Sequence, residues 1–390
     1  MDIETLKKAI TKETSLFSDS KLEIVEIGDG NINRVFRAAA GSGEAYIVKY
    51  ASSQTNISSS IRLNKARGRI ESDYLKIIGQ LMPLRVPVVY EYSEKNHYII
   101  MQDLSKQYKV LQGEIASGKQ YVFLAKQLAE YVAVSGYAFS GFSLLPDRKL
   151  MLQKQFSNQQ MCELTERLVF TEPYFDCANN SITCKNYDFV KNEIYLNSKI
   201  ASSVHKLKNR FLSSSQSLIH GDLHFGSVFV SEKDIKIFDP EFCFFGPIGY
   251  DLGNLLAHFL LHFSFQAVTK TGQAGGICSW LKQQAFCLLA EFEACFLKQA
   301  GCCDDTSNGR NHDIREFLKD ILCDTAGFAG TECIRRTIGL AKVSAFVFSN
   351  EEERSQYELR ALSVGKYLLE NFEVFTTAHT FEERLNAFLR

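Results

Sequence analysis

No Cys-x-x-Cys pair occurs among the eleven cysteines of this 390-residue chain, and their number is odd. Neither a disulfide framework nor a zinc site is therefore indicated, and reduced thiols in a cytosolic interior are the expectation. The chain also lacks an imbalance of charge: 44 basic residues face 45 acidic ones, for a net charge of −1, which points to neither a nucleic acid nor a membrane as partner. An apolar leader is missing too. The opening Met1-Asp2-Ile3-Glu4-Thr5-Leu6-Lys7-Lys8 is charged, so secretion is not expected. The most apolar later segment, Leu252 to Phe265, is interrupted by Asn254, His258 and His262 and falls short of the roughly 20 residues that cross a bilayer. It reads as a buried helix. Internal repeats are absent, and low complexity is limited to short serine clusters.

What is present is an ordinary globular balance, with 45% hydrophobic and 23% charged residues on a chain long enough for two or three domains or one two-lobed unit. Residues 20 to 104 carry β signals interrupted by one helical stretch. Strands are expected at Leu22–Ile27, Arg34–Ala38, Ala45–Tyr50, Pro87–Tyr90 and Tyr98–Met101. Between them, Ile70, Tyr74, Ile77 and Ile78 recur at helical spacing within Asn64–Gly79. Beyond residue 105 the pattern turns helical, with helices expected at Gln120–Gly136, Phe189–Leu212, Leu252–Phe265, Ile277–Ala300, Ile314–Leu340 and Glu351–Phe372. The domain expectation is a small β-rich lobe over 1–104 and a larger helical lobe over 105–390.

The densest chemistry lies between His220 and Asp251. His220-Gly221-Asp222-Leu223-His224-Phe225-Gly226-Ser227 is followed by Val228-Phe229-Val230, the polar turn Ser231–Asp234, Ile235-Lys236-Ile237-Phe238 and then Asp239-Pro240-Glu241. The two short runs read as a β-hairpin, whose return is expected to bring Asp239 and Glu241 towards Asp222. One carboxylate to receive a proton and others to hold a divalent cation is the layout of a phosphotransferase centre. Asp222 is the expected catalytic base, and Asp239 and Glu241 the hard oxygen ligands for Mg²⁺. Pro240 fixes the turn between them. Asp251 is expected to cap the following helix. The glycines around His220 and His224 argue against a helical zinc pair, so both imidazoles are expected to brace the loop.

Upstream, Gly28-Asp29-Gly30-Asn31-Ile32-Asn33 joins two strands and suits a backbone cradle for phosphate oxygens, although alone it reads more readily as an ordinary hairpin turn. Lys49 interrupts the apolar run Tyr46–Tyr50, where a lone ammonium would be costly to bury, and Glu71 on the helix is its natural partner. Arg335-Arg336 lies in an expected helix. Spacing alone leaves such a pair as surface charge, because adjacent helical residues point about 100° apart.

Taken together, Gly28–Asn33 with Val35-Phe36, Arg67-x-Arg69-Ile70-Glu71, Gln102-Asp103-Leu104-Ser105, His220–Ser227 and Asp239-Pro240-Glu241-Phe242-x-Phe244-x-Gly246-Pro247 resemble the 5-methylthioribose kinase family. That family belongs to the aminoglycoside phosphotransferase and choline kinase superfamily. Ser227, where asparagine is usual, and Glu241 after Asp-Pro narrow the likeness. The resemblance implies an α+β, protein-kinase-like two-lobed fold, with a small antiparallel sheet and one helix before a mainly helical lobe. It implies ATP contacts from Gly30, Asn31, Asn33, Lys49 and Glu71, an adenine hinge at Gln102, Asp103 and Leu104, and a metal and phosphate site at Asp239, Pro240 and Glu241. Asp222, Arg335 and Arg336 become sugar ligands. Gln102 replaces the family's usual glutamate, and Phe225 takes the place of a smaller residue, which suggests a reshaped sugar pocket. A cytoplasmic homodimer is implied as well.

The leading functional expectation is ATP-dependent phosphorylation of the 1-hydroxyl of S-methyl-5-thioribose, in methionine salvage. A second keeps the chemistry but changes the acceptor to an aminoglycoside, choline, homoserine or another small alcohol. A third, a nucleotide-binding pseudokinase, conflicts with the presence of Lys49, Asp222, Asp239 and Glu241.

Overall fold

A computed structural model describes residues 2–17, 22–28, 33–41, 43–52, 63–269, 276–302 and 309–389. The chain divides into two compact units, Met1–Tyr108 with Lys236–Cys243, and Lys109–Ile235 with Phe244–Arg390. The sequence reading carries Asp239 and Glu241 in the second lobe. The structure instead threads their segment into the first unit, where the Ile237 N–H donates to the Arg85 carbonyl (2.7 Å) and Lys236 Nζ to the Val86 carbonyl (3.0 Å).

The first unit is built on a five-stranded antiparallel sheet of β1 (Glu23–Gly28), β2 (Asn33–Ala39), β3 (Ala45–Ala51), β4 (Val89–Ser93) and β5 (Tyr98–Gln102), in the order β1-β2-β3-β5-β4. Side chains alternate across it with period two. Phe36 and Ala38, Val48 and Tyr50, and Tyr98 and Ile100 form one buried cluster with Leu6, Ile10 and Phe17. Leu6 and Ile10 stand one turn apart on α1 (Ile3–Glu13), whose N-terminus is capped by Asp2 accepting from the Thr5 N–H at 2.7 Å. This helix was not expected, because its apolar stripe is short and its remaining positions are charged. Lys49, between Val48 and Tyr50, falls on the opposite face. The second helix, α2 (Arg67–Leu81), buries Ile70, Tyr74 and Ile78 at the anticipated spacing.

The second unit is mainly helical. The helix Ile248–Val268 is buried along every face from Ile248 to Gln266, as its apolar sequence predicts. Against it lies the helix Gly309–Ile338. Two glycines permit that approach: a Cβ at Gly249 would stand 2.7 Å from the Ile321 carbonyl oxygen, and one at Gly253 2.8 Å from that of Thr325. Further helices run at Leu124–Ala138, Ile277–Gln299 and Glu351–Asn371, within a few residues of expectation.

The single helix expected over Phe189–Leu212 is divided. A wide turn, Val190–Tyr195, precedes a helix at Ser198–Ser213 whose cap Asn197 accepts from the Lys199 and Ile200 N–H groups (3.0 and 3.2 Å). Helices at Pro146–Gln155, Gln159–Phe170 and Ala378–Phe388 were not anticipated. The first buries only Leu152 and so has almost no stripe to read. Among the described residues ten cysteines are free, and no helix is long and apolar enough to cross a membrane.

Candidate active site

In the first unit, β3 presents Lys49 and α2 presents Glu71, both buried. The ammonium donates to both Glu71 oxygens, at 2.8 and 2.7 Å, and pairs with Asp239 Oδ1. Asp239 adopts a left-handed backbone, φ 67°, a conformation uncommon for a residue with a side chain and typical of constrained sites. Two residues on, the buried Glu241 Oε2 accepts from Asn33 Nδ2 at 2.8 Å and Arg67 Nε at 3.0 Å. Arg67 also donates to Asn33 Oδ1 at 2.7 Å and to the Ser52 carbonyl at 2.6 Å.

Glu71, Asp239 and Glu241 each offer an oxygen, all within 4.8 Å of one another. Three carboxylates so close resist ionising together. Burial first, then repulsion from Asp239 and Glu241, pushes Glu71 up to about 7 against the pull of Lys49. Burial works against the charged form of Lys49, but Asp239 and Glu71 outweigh it and hold the ammonium well above its ordinary value. Hard oxygens with surplus negative charge fit Mg²⁺.

At the anticipated hinge, the Gln102 N–H donates to the Val88 carbonyl at 2.8 Å. One Asp103 oxygen accepts from Arg37 Nε at 2.7 Å and the other from the Ser105 N–H at 2.9 Å, so its side chain braces the turn. Leu104 is buried, and its carbonyl accepts from Gln107 and Tyr108. Pro240 is also buried, its carbonyl closing the turn with the Cys243 N–H at 3.1 Å. Gly30 and Asn31 lie outside the described residues.

Asp222 belongs to the second unit, on the loop after the strand Ser217–Ile219. Asp251 holds that loop. Its oxygens accept from the N–H groups of His220 (2.7 Å) and Gly221 (3.0 Å), and Gly221 supplies the positive φ of 81°. This corrects the expectation of an N-cap: the helix already starts after Pro247, which puts Asp251 inside its first turn with a carboxylate to spare. Burial, only partly offset by those N–H groups, raises Asp251 to about 7.

Both histidines brace the loop as expected. His220 Nδ1 accepts from the Asp222 N–H at 3.3 Å and His224 Nδ1 from the Gly226 N–H at 2.9 Å. Ser227 Oγ donates to the Asp222 carbonyl at 3.0 Å. His224 does more, because its Nε2 stands 3.4 Å from Asp222 Oδ2. Phe225 is fully buried and packs edge-on against Phe259, with centroids 4.8 Å apart. It fills the core beneath the loop instead of facing outward.

The twin arginines are not surface charge. Each is 7% exposed, and their terminal nitrogens converge on Asp222 Oδ1, at 3.2 Å from Arg335 and 3.6 Å from Arg336. Although burial opposes the charged form of Asp222, His224, Arg335 and Arg336 together hold its carboxyl well below the usual carboxylate range. Both guanidiniums are gripped from behind by Glu332, which is fully buried. Beside Arg336 opens a cavity of about 200 Å³ walled by Thr337, Lys342, Phe346, Phe348 and Tyr357.

Sequence reasoning missed Arg67, Asp251 and Glu332 as members of these clusters. Arg67 stood in a recognised motif, and Glu332 lies three and four residues before the arginines, the spacing at which helical side chains meet.

Residues 23–276 match the phosphotransferase enzyme family. A methylthioribose kinase from Bacillus velezensis is 34% identical, over 94% of this chain and 92% of its own. Another from Exiguobacterium sibiricum is 32% identical, over 97% of both. Among solved structures, choline kinase from Cryptosporidium parvum superposes with a TM-score of 0.51 at 14% identity, covering 96% of this chain and 98% of that one. It supports the kinase-like α+β fold alone. The chain belongs to the phosphotransferase enzyme family, on the branch that carries the methylthioribose kinases.

Proposed function

We propose that this protein transfers the γ-phosphoryl group of ATP to the 1-hydroxyl of S-methyl-5-thioribose, giving S-methyl-5-thioribose 1-phosphate and ADP in methionine salvage. The observation that carries the reading is the convergence of two buried arginines on Asp222, in a chain one-third identical to methylthioribose kinases over nearly its full length. An aminoglycoside or choline acceptor is cationic and favours an acidic pocket, whereas neutral sugar hydroxyls are well served by guanidinium donors beside one carboxylate.

In this reading Lys49, oriented by Glu71, binds nucleotide phosphates, with Asn33 and the Gly30-Asn31 loop beside them. Adenine lies against the backbone of Gln102, Asp103 and Leu104. Asp239 and Glu241 hold Mg²⁺, which when bound neutralises charge on the β- and γ-phosphates. Asp222 orients the attacking hydroxyl. A carboxylate held so far below its ordinary range is a weak base, so it takes up the proton late, as the hydroxyl oxygen bonds to phosphorus. Its main contribution is alignment. Arg335 and Arg336 donate to neighbouring sugar hydroxyls, and the aromatic side of the cavity at Arg336 receives the methylthio end.

The test is purified protein with Mg-ATP and an acceptor panel, following ADP release. Methylthioribose should be the preferred acceptor, with plain ribose at least tenfold poorer in kcat/KM. No methylthioribose-dependent ADP release from folded protein refutes the reading. A cytoplasmic homodimer goes with this function, and light scattering checks the dimer.

A further inference from the structure

Arg335 and Arg336 are neighbours on one helix, and their side chains would ordinarily diverge by about 100°. They nevertheless meet at a single oxygen of Asp222. The cause lies one turn back. Glu332 Oε2 takes Arg335 Nε, while Oε1 accepts from Arg335 at 3.0 Å and from Arg336 Nε at 2.7 Å. The carboxylate binds Nε of both guanidiniums and shares Arg335 Nη2 with Asp222, while Arg336 turns its Nη2 to Asp222.

A neutral imidazole stands beside Glu332. His258, from the helix Ile248–Val268, sets Nε2 3.5 Å from Glu332 Oε1 and stacks its ring on His224 at 5.2 Å and 21°. Burial keeps His258 neutral, so the cluster balances two carboxylates against two guanidiniums. Although burial resists its ionisation, Glu332 stays charged because Arg335 and Arg336 face it.

We propose that Glu332 is a positioning residue for the acceptor site, fixing the splay of Arg335 and Arg336 so that both present donors to the sugar beside Asp222. This rests on reading Asp222, Arg335 and Arg336 as the acceptor site. Without the carboxylate, the guanidiniums lose their shared anchor and both turn to Asp222, the remaining anion. Sugar hydroxyls must then compete for donors and acceptor alike.

The experiment compares Glu332→Gln, Glu332→Asp and Asp324→Asn with wild type in steady-state kinetics and thermal melts. Asp324 is a buried carboxylate on the same helix, paired to Arg210 at 3.1 Å, and controls for loss of any buried ion pair. Glu332→Gln should raise the KM for methylthioribose at least tenfold and lower kcat, with the KM for ATP within twofold. Glu332→Asp, which restores the charge one methylene short, should recover part of that loss. Asp324→Asn should melt lower without moving the sugar KM. A folded Glu332→Gln with unchanged sugar KM, or with sugar and ATP constants shifted together, overturns the proposal. Failure of both Glu332 variants to fold assigns Glu332 to structure alone and overturns it too. Wild type inert towards methylthioribose refutes only the substrate, and the variants are then read with whichever alcohol the panel identifies. An entirely silent panel removes both readings.

Discussion

The two clusters use the same residue types and reach opposite electrostatic states. In the first unit three carboxylates, Glu71, Asp239 and Glu241, surround two cations, Lys49 and Arg67. In the second, Asp222 and Glu332 face Arg335 and Arg336 one for one. Burial, with repulsion from Asp239 and Glu241, raises Glu71 to about 7, whereas the groups facing Asp222 and Glu332 keep both ionised although burial opposes it. A cluster short of one positive charge is suited to recruit a cation. A balanced one is suited to a neutral, hydroxyl-rich molecule. Under the proposed function, like side chains are thus sorted by stoichiometry into a metal and phosphate cluster and a sugar cluster.

That division can be broken by mutation. Asp222→Asn should cost the most, lowering kcat by about 10³-fold or more while ATP affinity, measured by calorimetry, stays within twofold. Weakened ATP binding in that variant would mean the clusters are not separable. Asp239→Asn should come next, with kcat down by about 10²-fold and the Mg²⁺ concentration for half-maximal rate raised, but the sugar KM unmoved. Arg335→Lys keeps the charge and loses the fork that spans Glu332 and Asp222, so the sugar KM should rise by about tenfold with the Mg²⁺ requirement unchanged.

The last effect concerns pH and stability. Asp251 is raised in the folded state from 3.8 to about 7. A group raised on folding stabilises below its unfolded value, and that contribution disappears as pH climbs through the folded value. Between pH 4 and 7 Asp251 should therefore lower stability by up to about 1.4 kcal/mol per pH unit. Asp251→Asn should flatten the fall in melting temperature over that window, and an unchanged slope would show that other groups set it.

Local patterning made much of this legible. Period-two runs located the five strands, and Lys49 stood out because a charge interrupting such a run needs a partner. Glu71 was identifiable as that partner from its place on a helix with a clear apolar stripe. Partners supplied from far along the chain were harder to see. Arg67 meets Glu241 only after the Lys236–Cys243 segment joins the first unit. Asp251 resembled a helix cap because its real ligands are backbone N–H groups some thirty positions earlier, which no pattern records. The arginines resembled surface charge because helical geometry separates neighbours, and only Glu332 at its i−3 and i−4 offsets reverses that. Phe225 misled for a related reason, since sequence does not say whether a loop residue faces a ligand or the core below it.

The glycine pair at 249 and 253 ties these parts together. One helix of that contact carries Asp251, which holds the loop of Asp222, and the other carries Glu332 and both arginines. Backbone against backbone leaves neither rod room to slide or roll, so the gauge between Asp222 and the two guanidiniums is set by the scaffold. New acceptors would then be reached by reshaping cavity walls at Phe346 or Tyr357, while the jaws themselves keep their spacing.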